Sequence, residues 1–261
     1  MPVALRATPS HTESIILSVK GVKTMAIENT ATAFEGIYVA PEAALYLTAT
    51  LKHDVHIEHP AYPIHSRNLI RWIRVGLMSP ELRHVAGKEL IIGFEDLVSM
   101  RVIAILRSLG ISWKKIHRAE DWLREQTGYP RPFAVERVWT ETEDVFAEFP
   151  IGFIAASRHG QIAFAEMLGQ YLLPVEDMTF IRHNGVSVAR TWTPHTDVVI
   201  NPLIQFGEPC INGTRIRTRI TWQLFKGGDT ISYLMRAFEL SQQQIDHALE
   251  WENRLQTAKV S

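Results

Sequence analysis

Three arginines, Arg67, Arg71 and Arg74, fall at i, i+4 and i+7 in the run Ser66-Arg67-Asn68-Leu69-Ile70-Arg71-Trp72-Ile73-Arg74. On a helix this spacing sets three guanidinium groups along one stripe and leaves Leu69, Ile70 and Ile73 together on another face. A guanidinium is a planar fork of donors that suits phosphate oxygens and the guanine edge. A helix that reads DNA carries Arg, Asn, Ser or Thr near its N-terminal end and apolar residues behind. Ser66, Arg67, Asn68, Arg71 and Arg74 fit that description. Arg83 and Lys88 flank a glycine turn nearby, where a β-wing would touch the adjacent phosphates. These residues are the candidate DNA contacts, and the plain alternative is a solvated helix face.

The whole-chain charge speaks against nucleic acid: 261 residues carry 27 basic and 28 acidic side chains, a net of −1. Split along the chain, the balance changes. Residues 61–132 carry 12 Arg and Lys against 7 Asp and Glu, a net of +5, and the remainder is −6. Phosphate contacts suit the first part, and a protein partner suits the acidic rest.

Other chemistries find less support. His53, His56, His59 and His65 cluster at spacings open to a metal, but no cysteine is near and Pro60 and Pro63 break the segment. Ser157, His159 and Asp177 supply the residue types of a hydrolytic triad without a nucleophile-elbow pattern around the serine. Gly227-Gly228 reads as a helix stop and not as a phosphate loop. No metal, no cofactor and no enzymatic activity are expected.

These side chains need elements to position them. Residues 1–35 have no sustained period and read as a flexible extension, with Met25 as an alternative start. Pro41 opens a small-residue helix carrying Ala43, Ala44, Leu45 and Leu47, and residues 52–60 read as a loop. Ser66 caps the arginine helix, which stops near Gly76. Residues 82–92 form a hairpin about Gly87. Glu95 and Asp96 open a helix with Val98, Val102, Ile105 and Leu109 inward, ended by Gly110. Ser112 caps the next, with Trp113, Ile116, Ala119 and Leu123 inward, ended by Gly128. Helix, helix, hairpin, helix, helix is a winged helix-turn-helix plan.

Residues 130–196 read as a mixed α+β linker. Strands are expected at 135–139 and 145–149, a helix at 161–173, and a hairpin of 178–182 with 186–192 about Asn184-Gly185. Residues 197–256 read as a small helical, helix-turn-helix-like domain. A strand at 197–200 leads to turns at Gly207 and Gly213, then to a helix at 219–226. Asp229 caps a helix carrying Ile231, Leu234, Met235 and Phe238. Ser241 and Gln244 form a capping box for a last helix with Ile245, Ala248 and Leu249 inward. Thr214 is expected to bond a backbone group and Arg215 to pin its loop. The fold class is therefore mainly α with small β elements: a winged helix-turn-helix over 36–129, the linker, and the helical C-terminal domain.

Two resemblances attach to these residues. Gly36-Ile37-Tyr38-Val39-Ala40-Pro41-Glu42-Ala43-Ala44, Asn68-Leu69-Ile70-Arg71-Trp72 and Phe94-Glu95-Asp96-Leu97-Val98 together resemble the helix-turn-helix module of MerR-type regulators. One departure is the stretch 51–65, longer than the tight turn usual there. Asn201-Pro202-Leu203-Ile204-Gln205-Phe206-Gly207-Glu208-Pro209-Cys210-Ile211-Asn212-Gly213-Thr214-Arg215-Ile216 and the helical residues after it are similar to the small domain of unknown function 433. With a helix-turn-helix ahead of it, the whole resembles a VapB-type antitoxin.

That resemblance implies an antitoxin that binds and neutralises a PIN-domain ribonuclease toxin and represses its own operon at operator DNA, as a homodimer. A nuclease site that gathers carboxylates around a divalent cation would be blocked by an inserted arginine, and Arg217, Arg219, Arg236 and Arg254 are the candidates. The alternative is a MerR-like regulator whose C-terminal domain senses a ligand or dimerises, with no toxin. The lone Cys210 excludes an internal disulfide. No apolar run reaches the ~18–20 residues that span a bilayer. The expectation is a cytoplasmic protein.

Overall fold

The computed structural model describes residues 36–54, 64–74, 85–86, 89–149, 161–162, 165 and 177–260. The described residues are mainly helical with two small antiparallel sheets. In chain order, β1 (Tyr38–Val39) leads directly into α1 (Ala40–Asp54), and α2 (Ser66–Arg74) follows. Then come β2 (Val85–Ala86), β3 (Glu89–Ile92), α3 (Phe94–Ser108) and α4 (Trp113–Thr127). The short helices α5 (Glu136–Thr140) and α6 (Thr142–Glu148) precede β4 (Met178–His183), β5 (Val186–His195), β6 (Val198–Ile200) and β7 (Cys210–Ile211). The chain ends on α7 (Thr218–Lys226), α8 (Ile231–Phe238) and α9 (Gln242–Val260). Among the described residues no helix is long and apolar enough to cross a membrane.

The order helix, helix, hairpin, helix, helix stands. α1 is longer than expected and takes in the first residues of the anticipated loop, reaching Asp54. Ser66 is the first residue of α2 and not its cap: the His65 carbonyl accepts from the Asn68 N–H at 2.8 Å. β2 and β3 pair antiparallel with Ala86 opposite Glu89, and β1 lies on the other side of β3 with Tyr38 opposite Ile92. α3 is buried on nearly every side, so its expected stripe is part of a wider buried surface. Its N-terminus is closed by Asp96, whose carboxylate accepts from the Gly93 N–H at 3.3 Å. Gly128, at φ 65, ends α4 in the left-handed conformation that needs no Cβ.

In place of the strands expected at 135–139 and 145–149, the chain forms helices over Glu136–Thr140 and Thr142–Glu148, and only Val135 makes an isolated β-bridge, to Val188. Val, Phe and Trp favour strands, but here packing decides. Val138, Trp139, Thr142, Val145 and Phe146 recur at helical spacing and are all buried. The Trp139 indole N–H donates to the Phe133 carbonyl at 2.8 Å, which fixes the turn before α5. Of the helix expected at 161–173, Gln161, Ile162 and Ala165 are helical and the remainder lies outside the described residues.

The second sheet runs β4-β5-β6-β7. Its first hairpin turns at Asn184 (φ 48) and Gly185 (φ 86), as the Asn-Gly pair predicts. Thr230, not Asp229, caps α8, its hydroxyl accepting from the Tyr233 N–H at 3.2 Å. The capping box at α9 forms as expected: Ser241 N–H donates to Gln244 at 3.0 Å and Gln244 N–H to the Ser241 hydroxyl at 3.2 Å.

α9 serves two cores. Ile245, Ala248 and Leu249 pack with Ile211, Leu234 and Leu240 in a small C-terminal cluster. Trp251, Leu255 and Ala258, at i, i+4 and i+7, join a larger cluster that includes Leu47, Leu69, Ile103, Trp139 and Trp192. The Trp251 ring lies 6.3 Å from that of Tyr46 on α1, so α9 is packed directly on α1.

Candidate functional site

α2 is built as the sequence suggests. Leu69, Trp72 and Ile73 are buried, and the Trp72 ring meets that of Trp113 edge-on at 5.1 Å, which seats α2 against α4. The Arg107 guanidinium covers the other ring of this pair, 4.9 Å from the Trp113 centroid. With that face fixed, Arg67, Arg71 and Arg74 all point to solvent. None has an ion-pair partner among the described residues, which leaves the three guanidinium groups available for phosphate. Ser66 and Asn68 are half-buried beside them. Arg83 and Lys88 lie outside the described residues.

The second candidate region is the loop from Asn201 to Arg217 at the entry to α7. Asn201 folds back on itself, its side-chain carbonyl accepting from the Leu203 N–H at 3.0 Å. The chain then takes three consecutive left-handed residues, Gln205 (φ 51), Phe206 (φ 59) and Gly207 (φ 90). The third must be glycine for space as well: a Cβ there would overlap the Tyr38 hydroxyl. Gly213 (φ 77) makes the second expected turn. Thr214 does what was expected of it, donating to the Ile211 carbonyl at 2.8 Å and accepting from the Ile216 N–H at 3.0 Å.

Arg215 is not the pin. Its side chain is exposed, and only its backbone carbonyl holds the loop, accepting from the Gln205 amide at 3.1 Å. The pinning guanidinium is that of Arg217, which donates to the Gln205 side-chain oxygen at 2.8 Å and stands 3.5 Å from the Glu208 carboxylate. Arg219 approaches the same carboxylate at 3.6 Å and is 58% exposed. Arg236 is exposed on α8, and Arg254 is half-buried on α9. Of the four arginines considered as toxin contacts, Glu208 thus gathers two.

Ionisable groups line the seam behind this loop. Tyr46 donates to Glu42 at 2.6 Å, and burial holds the Glu42 carboxyl above its ordinary value. Glu252 on α9, also raised by burial, accepts from the Thr218 hydroxyl at 2.6 Å. Cys210 is buried, and burial pushes its thiol up to about 11, which disfavours the reactive thiolate. Nearby, His247 meets Asp197 at 2.8 Å and His195 meets Glu250 at 3.1 Å. Burial, then the charge of Arg254, lowers the His195 value.

The competing constellations can be placed in part. His65 precedes α2, and His56 and His59 lie outside the described residues. Among the described residues no group of three His, Cys, Asp or Glu side chains is arranged to hold a metal ion. Ser157 and His159 also lie outside them. Asp177 is bound within the core, paired with Arg101 and accepting from the Trp192 indole at 3.3 Å.

Residues 198–251 match the family model described as protein of unknown function DUF433. The chain is 22% identical over 182 residues to the Mycobacterium tuberculosis protein named "Putative antitoxin VapB45", a match that covers 65% of this chain and 74% of that protein. In fold it is similar to the crystal structure of Rv2018 from Mycobacterium tuberculosis, with a TM-score of 0.62 and 19% identity over 81% of this chain and 96% of the other.

Proposed function

We propose that the chain is an antitoxin. The observation that carries this reading is the presence of two similarities on one chain: DUF433 at 198–251, and a relative named as an antitoxin that matches over 182 residues, 65% of the chain. In this reading residues 36–129 form a MerR-like winged helix-turn-helix and residues 197–256 the partner domain, with residues 130–196 joining them. Ser66, Arg67, Asn68, Arg71 and Arg74 meet operator DNA from α2, with Arg83 and Lys88 touching flanking phosphates. The exposed guanidinium stripe and the local charge of +5 over residues 61–132 support that role. The protein works as a homodimer, each copy placing α2 in one of two successive major grooves. It is not an enzyme: its partner, a PIN-domain ribonuclease toxin, carries the catalytic carboxylates, and the antitoxin occludes them.

Arg219 and Arg236 suit contact with such an acidic site because both are exposed. Arg217 and Arg254 suit it less. The former is committed to Gln205 and Glu208, and the latter is half-buried. The exposed arginine stripe also supports the second reading, a DNA-binding regulator without a toxin.

Co-expression with the adjoining reading frame separates the two. An antitoxin copurifies in a stable complex with that product, which has ribonuclease activity when freed. A regulator without a toxin binds its upstream DNA and retains no such partner.

A further inference from the structure

Exposed apolar side chains gather around the 201–207 loop. Ile37 is 50% exposed, Leu203 49% and Phe206 54%, and the Ile37 N–H donates to the Phe206 carbonyl at 3.0 Å. Pro202, Leu203, Gln205, Phe206 and Arg215 line a groove of about 370 Å³ there. Folding ordinarily hides such side chains, yet here the backbone works in the opposite direction. Gln205 and Phe206 both sit in the left-handed region, which L-residues enter at a cost and hold only where their surroundings over-determine them.

Those surroundings are plain. The Gln205 amide donates to the Arg215 carbonyl, its oxygen accepts from Arg217, and Ile37 holds the Phe206 carbonyl. Leu203 and Phe206 remain about half exposed on a loop whose backbone these bonds hold. Strain of this kind collects at binding sites, and rigid apolar anchors bind with little ordering cost.

Arg215 is the charged residue among the described lining. Arg215 is exposed and has no ion-pair partner among the described residues, whereas Arg217 and Arg219 share Glu208. Among the described residues that line the groove, none is acidic. We propose that this groove docks a segment of the toxin partner that presents an apolar side chain beside a carboxylate. Leu203 and Phe206 flank the apolar side chain, and Arg215 takes the carboxylate with both arms of its fork, which fixes the register. This rests on the antitoxin reading and assigns its partner surface to residues outside the helix arginines.

The test uses the full-length chain and the purified product of the adjoining reading frame, with Kd measured by calorimetry. Phe206→Asn removes the ring and keeps a residue that tolerates the left-handed backbone. Arg215→Glu reverses the charge. Both variants should melt as the wild type does and bind at least tenfold more weakly. The combined Arg67→Ala, Arg71→Ala and Arg74→Ala variant should bind the product unchanged. Wild-type affinity in both groove variants overturns the docking surface and leaves the antitoxin reading intact. A wild-type chain that does not bind the product overturns both. A wild-type dimer that Phe206→Asn separates would assign the groove to a second copy, and that also overturns the proposal.

Discussion

The Arg101 guanidinium meets the Asp177 carboxylate at 2.7 Å, with only 2% of the Arg101 side chain reaching solvent. Its central carbon lies 5.3 Å from the ring centroids of both Trp139 and Trp192. The pair ties α3 to the second sheet through one buried charge. Such a pair costs much to break because the remaining charge is left dry. Asp177→Leu or Arg101→Met should each destabilise the fold by about 3–5 kcal/mol. The double variant Arg101→Met with Asp177→Leu should recover most of that loss, since neither charge remains. Urea unfolding of the three variants measures it, and two single losses that simply add would contradict the pairing.

Gly207 and Gly213 separate two reasons for glycine. Both have positive φ, 90 and 77, but a Cβ at Gly213 meets nothing within 4 Å, whereas at Gly207 it overlaps the Tyr38 hydroxyl. Gly213→Ala should cost only the left-handed penalty of about 1–2 kcal/mol. Gly207→Ala should cost clearly more, because Tyr38 is 1% exposed and has no room to retreat. Equal losses in thermal unfolding would contradict the Tyr38 contact.

The stabilising contribution of Glu120 should fall as pH rises toward neutrality. Burial pushes its carboxyl from 4.5 up to about 7 against the opposing charge of Arg124. The folded state then holds a proton that the unfolded chain has released. The contribution is fully present below pH 4.5 and is lost as pH climbs through about 7. Its size is up to about 3 kcal/mol. Glu120→Gln should flatten the stability profile over that window, measured by urea unfolding at a series of pH values, and an unchanged profile would contradict the assignment.

Much of this was legible in the chain because it is local chemistry. Asn184-Gly185 demanded a hairpin, Ser241 with Gln244 demanded a helix start, and the spacing of Arg67, Arg71 and Arg74 against Leu69 and Ile73 demanded one wet and one dry face. Residues 135–149 misled because Val138, Trp139 and Phe146 are strand formers by type. Their helical state is imposed by a core assembled from distant elements. The roles of Arg215 and Arg217 were equally hidden. Which guanidinium turns inward depends on the Gln205 side chain, placed by a backbone conformation that no residue type there advertises. The second apolar face of α9, with Trp251 and Leu255, became apparent only with α1 packed against it.

The proposed contact of α2 with DNA predicts a salt signature. On a duplex containing the sequence upstream of the chain's own reading frame, the triple variant Arg67→Ala, Arg71→Ala and Arg74→Ala should lose most affinity. The slope of log affinity against log salt should fall by about 0.9 for each phosphate contact removed. A slope unchanged from the wild type would move the DNA interface off α2.

The most direct measurement is a ribonuclease titration. The purified product of the adjoining reading frame is assayed with increasing amounts of this chain. Inhibition that is complete near a fixed stoichiometric ratio, and that Phe206→Asn or Arg215→Glu shifts to higher concentration, is the expected result. Ribonuclease activity that persists undiminished at a large excess of the wild-type chain would contradict the antitoxin function.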